Sequence, residues 1–330
     1  MSQRTTVMVP SINATPETGL AAASPSTAKG KRSMQTAVRL SVSVLGAGLI
    51  GIDLANKIMR SDYLDLRLVA GRDPATPGLR QAAQLGLPIS ARGIHSLVEA
   101  DDPFDVVFDA TNASLHAEHA ERLTALGTML IDLTPSKVGH MVIPTVNRAD
   151  IRSHRDISMV SCGGQASIPI LHAITRAHAV RYIEVVTTAA TLSVGRGTRL
   201  NLDEYVETSQ EAISDFTGVK DVKAILNISP ARPPATFRVA MSVLGDDLTE
   251  DSVHALVTGV ASELRSFVRG FDVKACTVHD GKAFIAVEVA SSGDRIPQYA
   301  GNLDIINSAA IHVAECYAAD RLALAGTERS

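Results

Sequence analysis

The sequence contains no tryptophan, and only 7 phenylalanines and 5 tyrosines stand among its 330 residues. Platforms that stack single-stranded nucleic acid are built from aromatic side chains, so this scarcity argues against that role. Charge gives no support either: 31 basic against 35 acidic residues leave a net charge of −4, without the basic excess that phosphate backbones demand. A membrane span needs ~20 apolar residues. The nearest stretch, residues 157–175, carries no Asp, Glu, Lys or Arg but is broken by Ser, Gly, Gln, Pro and His. Cysteine is sparse too. Cys162, Cys276 and Cys316 are far apart and lack a C-x-x-C spacing, which argues against a disulfide framework and points to a reducing cytoplasm. His116 and His119, three residues apart, read as solvated helix residues rather than ligands, and no metal is expected.

What is present is ordinary core-forming material: 45% hydrophobic and 20% charged residues, in a chain long enough for two domains. Residues 1–36 are rich in Ser, Thr, Ala and Pro and show no period of 2 or 3.6. They are expected to form a disordered extension, because little apolar surface is available to offset the entropy of ordering. Glu17 is their only acid, against Arg4, Lys29, Lys31 and Arg32. An organelle-targeting peptide is therefore the alternative, whereas a secretory signal would need an apolar stretch.

From Ala37 the pattern changes. Strands are predicted at 38–45, 66–70, 106–110 and 129–133, alternating with helices at 50–60, 78–85 and 117–126. Such alternation specifies a parallel sheet covered on both faces. Beyond about residue 160 the order becomes α+β: helices at 168–177, 203–216 and 252–268, and strands at 182–191, 224–228, 237–244 and 283–289. A last helix is predicted over 304–324. The expected division is a dinucleotide-binding domain of residues 37–160 and 301–330, with a catalytic and dimerisation domain of residues 161–300 between them.

Two motifs carry chemistry. Val42-Ser-Val-Leu-Gly46-Ala-Gly48-Leu-Ile-Gly51 is a strand running through G-x-G-x-x-G into a helix. Gly46 allows the tight turn, Gly48 lets backbone approach a pyrophosphate, and Gly51 lets helix and strand pack closely. The helix N-terminus presents free N–H groups to phosphate. A glycine-rich turn without a ligand is the plain alternative. The fold class is thus α/β, a Rossmann-type doubly wound parallel sheet plus a second α+β domain. Arg72 and Asp73, after the second strand, stand where an adenine ribose would lie. An acid there favours NAD and an arginine NADP; NAD is expected, with NADP the alternative. The second motif, Met159-Val-Ser-Cys162-Gly163-Gly164-Gln165, places a cysteine between a strand and a helix start. A helix N-terminus lowers a thiol's pKa, and the glycines that follow offer unobstructed N–H groups to an oxyanion. A buried, inert cysteine is the alternative. Cys276 and Cys316 read as structural.

These motifs, with Phe108-Asp-Ala-Thr111, Ile131-Asp-Leu-Thr-Pro135, Gly195-Arg-Gly-Thr-Arg199 and Tyr299-Ala-Gly-Asn-Leu-Asp-Ile305, resemble the acylating acetaldehyde dehydrogenases of aromatic meta-cleavage pathways. The match runs from about residue 38 to the C-terminus. The resemblance implies that Cys162 carries an acyl thioester. It assigns cofactor contacts to Ala47, Gly48, Leu49 and Ile50, to Ser193, Val194, Gly195, Arg196, Gly197, Thr198, Arg199, Leu200 and Asn201, and to Asn302. It implies conversion of a short aldehyde such as acetaldehyde, with NAD and coenzyme A, to acyl-CoA and NADH. It also implies a homodimer core and a 4-hydroxy-2-oxovalerate aldolase partner. The sequence departs from the family pattern at Val239, where the family has an aspartate that helps to activate the thiol. Two other readings stand beside this one: a phosphorylating semialdehyde dehydrogenase, and a catalytically silent NAD-binding partner of an aldolase.

Overall fold

The computed structural model describes residues 39–292 and 296–327; the expected N-terminal extension lies outside the described residues. The first layer is a seven-stranded, wholly parallel sheet. Its strands are β1 (Leu40–Leu45), β2 (Leu64–Ala70), β3 (Ile89–Ser90), β4 (Val106–Asp109), β5 (Met129–Asp132), β6 (His140–Met141) and β7 (Asp156–Ser158). Their spatial order is β3-β2-β1-β4-β5-β7-β6. The helices among them are α1 (Leu49–Ile58), α2 (Pro77–Gln84), α3 (His95–Val98), α4 (Ala113–Thr124) and α5 (Pro144–Asn147). Local chemistry fixes their starts. Thr76 caps α2 ahead of Pro77, and the Asn112 side chain accepts from the Ser114 N–H to cap α4.

The second layer follows α6 (Cys162–Ala177) and is a five-stranded mixed sheet of order β11-β12-β10-β8-β9. It comprises β8 (Val180–Ala190), β9 (Val222–Ser229), β10 (Phe237–Gly245), β11 (Phe271–His279) and β12 (Lys282–Val289). All pairings are antiparallel except β8 with β9. Residues alternate buried and more exposed along β8 and β10, the period-2 signature of a sheet with one face on a core. Helices α7 (Arg196–Leu200), α8 (Leu202–Thr217) and α9 (Glu250–Arg265) belong to this half.

The final helix, α10 (Gly301–Thr327), returns to the first sheet. Its Ile306, Ala309, Ala310, Val313, Ala314 and Tyr317 share a core with Val42, Val44, Phe108 and Ile131. The core of the second sheet gathers Ile168, Leu171, Ile183, Val239, Val257 and Ile285. Cys162 packs at the edge of both cores. Cys316 is buried in the first core and Cys276 is half-buried on β11. Among the described residues no helix is long and apolar enough to cross a membrane.

Candidate active site

Strand order reverses beside β1, with β2 on one side and β4 on the other. Open α/β sheets bind ligands at such a switch point, beyond the C-terminal ends of the strands. A cavity of about 390 Å³ lies there, lined after β1 by Gly48, Leu49 and Ile50, after β4 by Thr111 and Asn112, and after β5 by Thr134 and Pro135. Its glycines behave as the motif requires. Gly46 has φ +108, and a Cβ on it would lie 2.5 Å from the Ala110 carbonyl oxygen. A Cβ on Gly51 would lie 1.8 Å from the Gly46 carbonyl oxygen, so turn and helix close only without one. At Gly48 nothing among the described residues stands within 4 Å of that position; the missing side chain leaves open space.

The opposite wall comes from the second half of the chain. Ser193, Val194, Gly195, Thr198 and Asn201 line the cavity, and Asn302 does so from the first turn of α10. The Asn302 amide nitrogen donates to the Ser193 carbonyl at 2.9 Å, while its buried Oδ1 has no partner among the described residues. Thr134 Oγ1, on the same cavity, is likewise buried and without a partner among those residues. A buried acceptor left unpaired is costly, so a ligand amide or hydroxyl suits these positions. Other residues expected at a cofactor have local contacts of their own. Arg199 turns to the carbonyls of Thr191 and Val194 and braces the loop. Leu200 is exposed. The Ala47 carbonyl sits 1.9 Å from where Gly78 would carry a Cβ, so Ala47 packs on α2 rather than lining the cavity. The side chain of Arg196 lies outside the described residues, as does any Gly197 contact. Asp73 uses its carboxylate locally, accepting from the Ala75 N–H at 2.8 Å, and both Arg72 and Asp73 are exposed.

Cys162 lines the same cavity as the first residue of α6. The helix therefore begins six residues earlier than the predicted start at Ile168. The helix passes through Pro169 without ending there. The turn that presents Cys162 is strained: Val160, a buried β-branched residue, has φ +62. Such conformations cost on the order of 1–3 kcal/mol and persist where surrounding structure enforces them.

The glycine N–H groups are not free, contrary to expectation. The Ser161 hydroxyl caps the helix by accepting from Gly164 N–H at 2.9 Å, and Gly163 N–H donates to Tyr205 Oη at 3.3 Å. These are the orphan donors of a helix end, and the protein satisfies them itself. Tyr205 Oη also stands 3.6 Å from Cys162 Sγ. Burial pushes the thiol up, while Tyr205 and the N–H groups of Gly163 and Cys162 pull it down. Sequence reasoning missed Tyr205, since nothing in the spacing of residues 162 and 205 marks them as neighbours. Val239 is buried and lies opposite Thr187 in the β8/β10 register.

Beneath the cavity lies a second cluster that corrects the reading of His116 and His119 as solvated. Both are buried. His116 bonds Asp109 at 2.9 Å and Asp156 at 3.0 Å through its two ring nitrogens, and His119 bonds Asp109 at 2.7 Å. Asp132 Oδ1 lies 3.5 Å from His116. Burial opposes charge here, but the carboxylates hold His116 up at about 10. The two histidines hold Asp109 down at about 2. Burial raises Asp132 to about 7. Asp109 also receives Thr111 N–H and Oγ1–H, and Asp132 receives Thr134 N–H and the Ser136 hydroxyl. The network thus anchors two loops that line the cavity. Ligand atoms of Asp109, His116 and Asp132 lie within 4.8 Å of one another, but both His116 nitrogens are already engaged by carboxylates.

A Rossmann-type sheet joined to a mixed sheet, with a cysteine at a helix start facing the glycine loop, is the architecture of a two-layer dehydrogenase. Aspartate semialdehyde dehydrogenase II from Vibrio cholerae shares this fold, with a TM-score of 0.61 at 15% identity over 86% of this chain and 99% of that one. Residues 162–297 match the family described as prokaryotic acetaldehyde dehydrogenase, dimerisation. An acetaldehyde dehydrogenase of Streptomyces griseus is 52% identical over 278 residues, 84% of this chain and 90% of that protein. One of Geobacillus stearothermophilus is 39% identical over 288 residues, 86% and 98% respectively. The chain belongs to the acetaldehyde dehydrogenase family, oxidoreductases that act on aldehydes.

Proposed function

We propose that this protein is an acylating aldehyde dehydrogenase that uses NAD and coenzyme A to turn acetaldehyde or another short aldehyde into its acyl thioester. The observation that carries the reading is that Cys162, Gly48 and Asn302 line one cavity. The names of its relatives support the aldehyde. NAD fits the residues present: Gly48 leaves room for a pyrophosphate above the N-terminus of α1, and Asn302 Oδ1 awaits a donor such as a carboxamide N–H. When bound, the nicotinamide supplies a hydride acceptor.

The chain's own part starts with the Cys162 thiolate adding to the aldehyde carbon and forming a C–S bond, so that negative charge collects on the aldehyde oxygen. Gly163 and Gly164 N–H groups are engaged within the protein, so the Cys162 N–H, at the positive end of α6, is the donor we assign to that oxygen. Loss of hydride from the carbon leaves a thioester on Cys162. Coenzyme A, its thiol proton given up to solvent, then attacks the thioester carbonyl as thiolate, and Cys162 departs as thiolate. The family's dimerisation segment supports assembly as a homodimer. Residues 37–160 and 301–330 serve as the cofactor domain and residues 161–300 as the catalytic domain, with the remaining lining residues of 193–201 closing over the cofactor. The test is NADH formation from acetaldehyde by Cys162→Ala. No turnover is expected, with NAD affinity held within a few-fold; appreciable NADH production by the variant overturns the covalent route. Wild-type turnover with phosphate but not coenzyme A would select the phosphorylating reading instead.

A further inference from the structure

Tyr205 is buried in the first turn of α8, and the steps above do not use it. Its hydroxyl occupies space that is open because residue 163 is glycine: a Cβ there would lie 2.8 Å from Tyr205 Oη and 2.3 Å from Thr187 Oγ1. The phenol oxygen accepts the Gly163 N–H at 3.3 Å. An amide N–H cannot accept in return, so the phenolic hydrogen is left to point elsewhere. At 3.6 Å stands Cys162 Sγ. A thiolate can only accept, so once Cys162 ionises this contact has one polarity, O–H to sulfur.

No charged side chain among the described residues contributes to the thiol's environment. Burial raises it, and only the Tyr205 hydroxyl and the N–H groups of Gly163 and Cys162 lower it. The groups facing Tyr205 are uncharged as well: Ser161 from the head of α6 and Thr187 from β8 join Cys162 around its hydroxyl. Val239 on β10, opposite Thr187, supplies no carboxylate.

Resting on the reading of Cys162 as nucleophile, we propose that Tyr205 is a catalytic hydrogen-bond donor that stabilises the Cys162 thiolate in a site without a charged partner. Tyr205 keeps its own proton throughout, and the thiol's proton leaves to solvent. Burial beside the cysteine holds the phenol well above its usual range, so it serves as donor and not as base.

The experiment is the pH dependence of Cys162 alkylation by iodoacetamide, followed on the Cys162 peptide by mass spectrometry. It compares wild type, Tyr205→Phe, and protein with 3-fluorotyrosine placed at position 205. The Phe variant is expected to shift the midpoint up by about one pH unit and to slow neutral-pH alkylation about tenfold, with the high-pH plateau unchanged. Fluorotyrosine keeps the shape but donates more strongly, so its midpoint should move down. An unmoved midpoint in both variants, or a shift in the same direction for both, overturns the proposal. If the Phe variant fails to fold, fluorotyrosine alone decides the sign. Turnover by Cys162→Ala would sink the nucleophile reading separately, without touching the alkylation profile.

Discussion

Replacing His116 with glutamine removes the cation from the cluster beneath the cavity. In the folded protein His116 is fully buried and held up at about 10, from an ordinary 6.5, by its bonds to Asp109 and Asp156. At about 1.4 kcal/mol per pH unit, that rise corresponds to roughly 5 kcal/mol favouring the protonated ring when folded. A raised folded-state pKa gives stability that is fully present below 6.5 and lost as pH climbs through about 10. Asp132 works at lower pH: burial raises it from 3.8 to about 7, so its own ionisation erodes stability across that earlier interval. Urea melts of wild type at pH 6 and pH 10 should therefore differ by several kcal/mol. The His116→Gln variant should be less stable by about 3–5 kcal/mol at pH 6, because it leaves buried carboxylates without their partner. It should also lose most of the decline between pH 6 and pH 10. Other groups titrate near pH 10, so the quantity to compare is the difference between the two proteins at each pH. If that difference is the same at pH 6 and pH 10, His116 is not a buried imidazolium and the reasoning fails.

Gly48→Val should fold with a melting temperature close to wild type, since nothing among the described residues lies within 4 Å of its added Cβ. It should lose NAD binding by at least tenfold in calorimetry; unchanged affinity would remove the glycine loop from the site. Gly163→Ala puts a methyl 2.3 Å from Thr187 Oγ1 and 2.8 Å from Tyr205 Oη. Its turnover should fall by well over tenfold, and a variant with wild-type NADH production would show that this contact is not needed. Val239→Asp places a carboxylate in the core, opposite Val287 and Thr187 in the register. Chemical denaturation should show a loss of about 2–4 kcal/mol at neutral pH, and a variant as stable as wild type would mean that the strand already holds a partner for the acid.

Much of this was legible in the sequence because it is local. The glycine loop announces its strand, turn and helix within ten residues, and the alternation of apolar runs specifies the parallel sheet. No bounds are predicted for β11, where only Cys276 reads as a strand-edge residue: on this edge strand only Phe271 is buried, and the alternation of its other residues is broken at Ala275 and Cys276, which weakens the apolar signal. The predicted bounds of α6 begin late, at Ile168, although the second motif already places a helix start beside Cys162. His116 and Asp109 are joined by tertiary packing alone. In the sequence, His116 sits among polar helix residues, and nothing there says that its face meets the ends of β4 and β5. The Tyr205 contact likewise spans 43 positions and exists only after α8 folds against α6.

The path of α10 has a consequence for how the protein is made. Residues 40–158 form a sheet whose core stays open until Ile306 through Tyr317 arrive to cover it. At ordinary translation speeds the interval between those segments is on the order of ten seconds or more. During that time a parallel sheet whose apolar face is only partly covered, by Leu54 and Ile58 of α1 and by Ile151, must be sheltered on the ribosome, and Asn302 cannot take its place on the cavity wall. A chain halted before residue 301 should therefore resemble a sticky intermediate rather than a smaller working domain. Chaperone dependence and aggregation should concentrate in this last stage of synthesis.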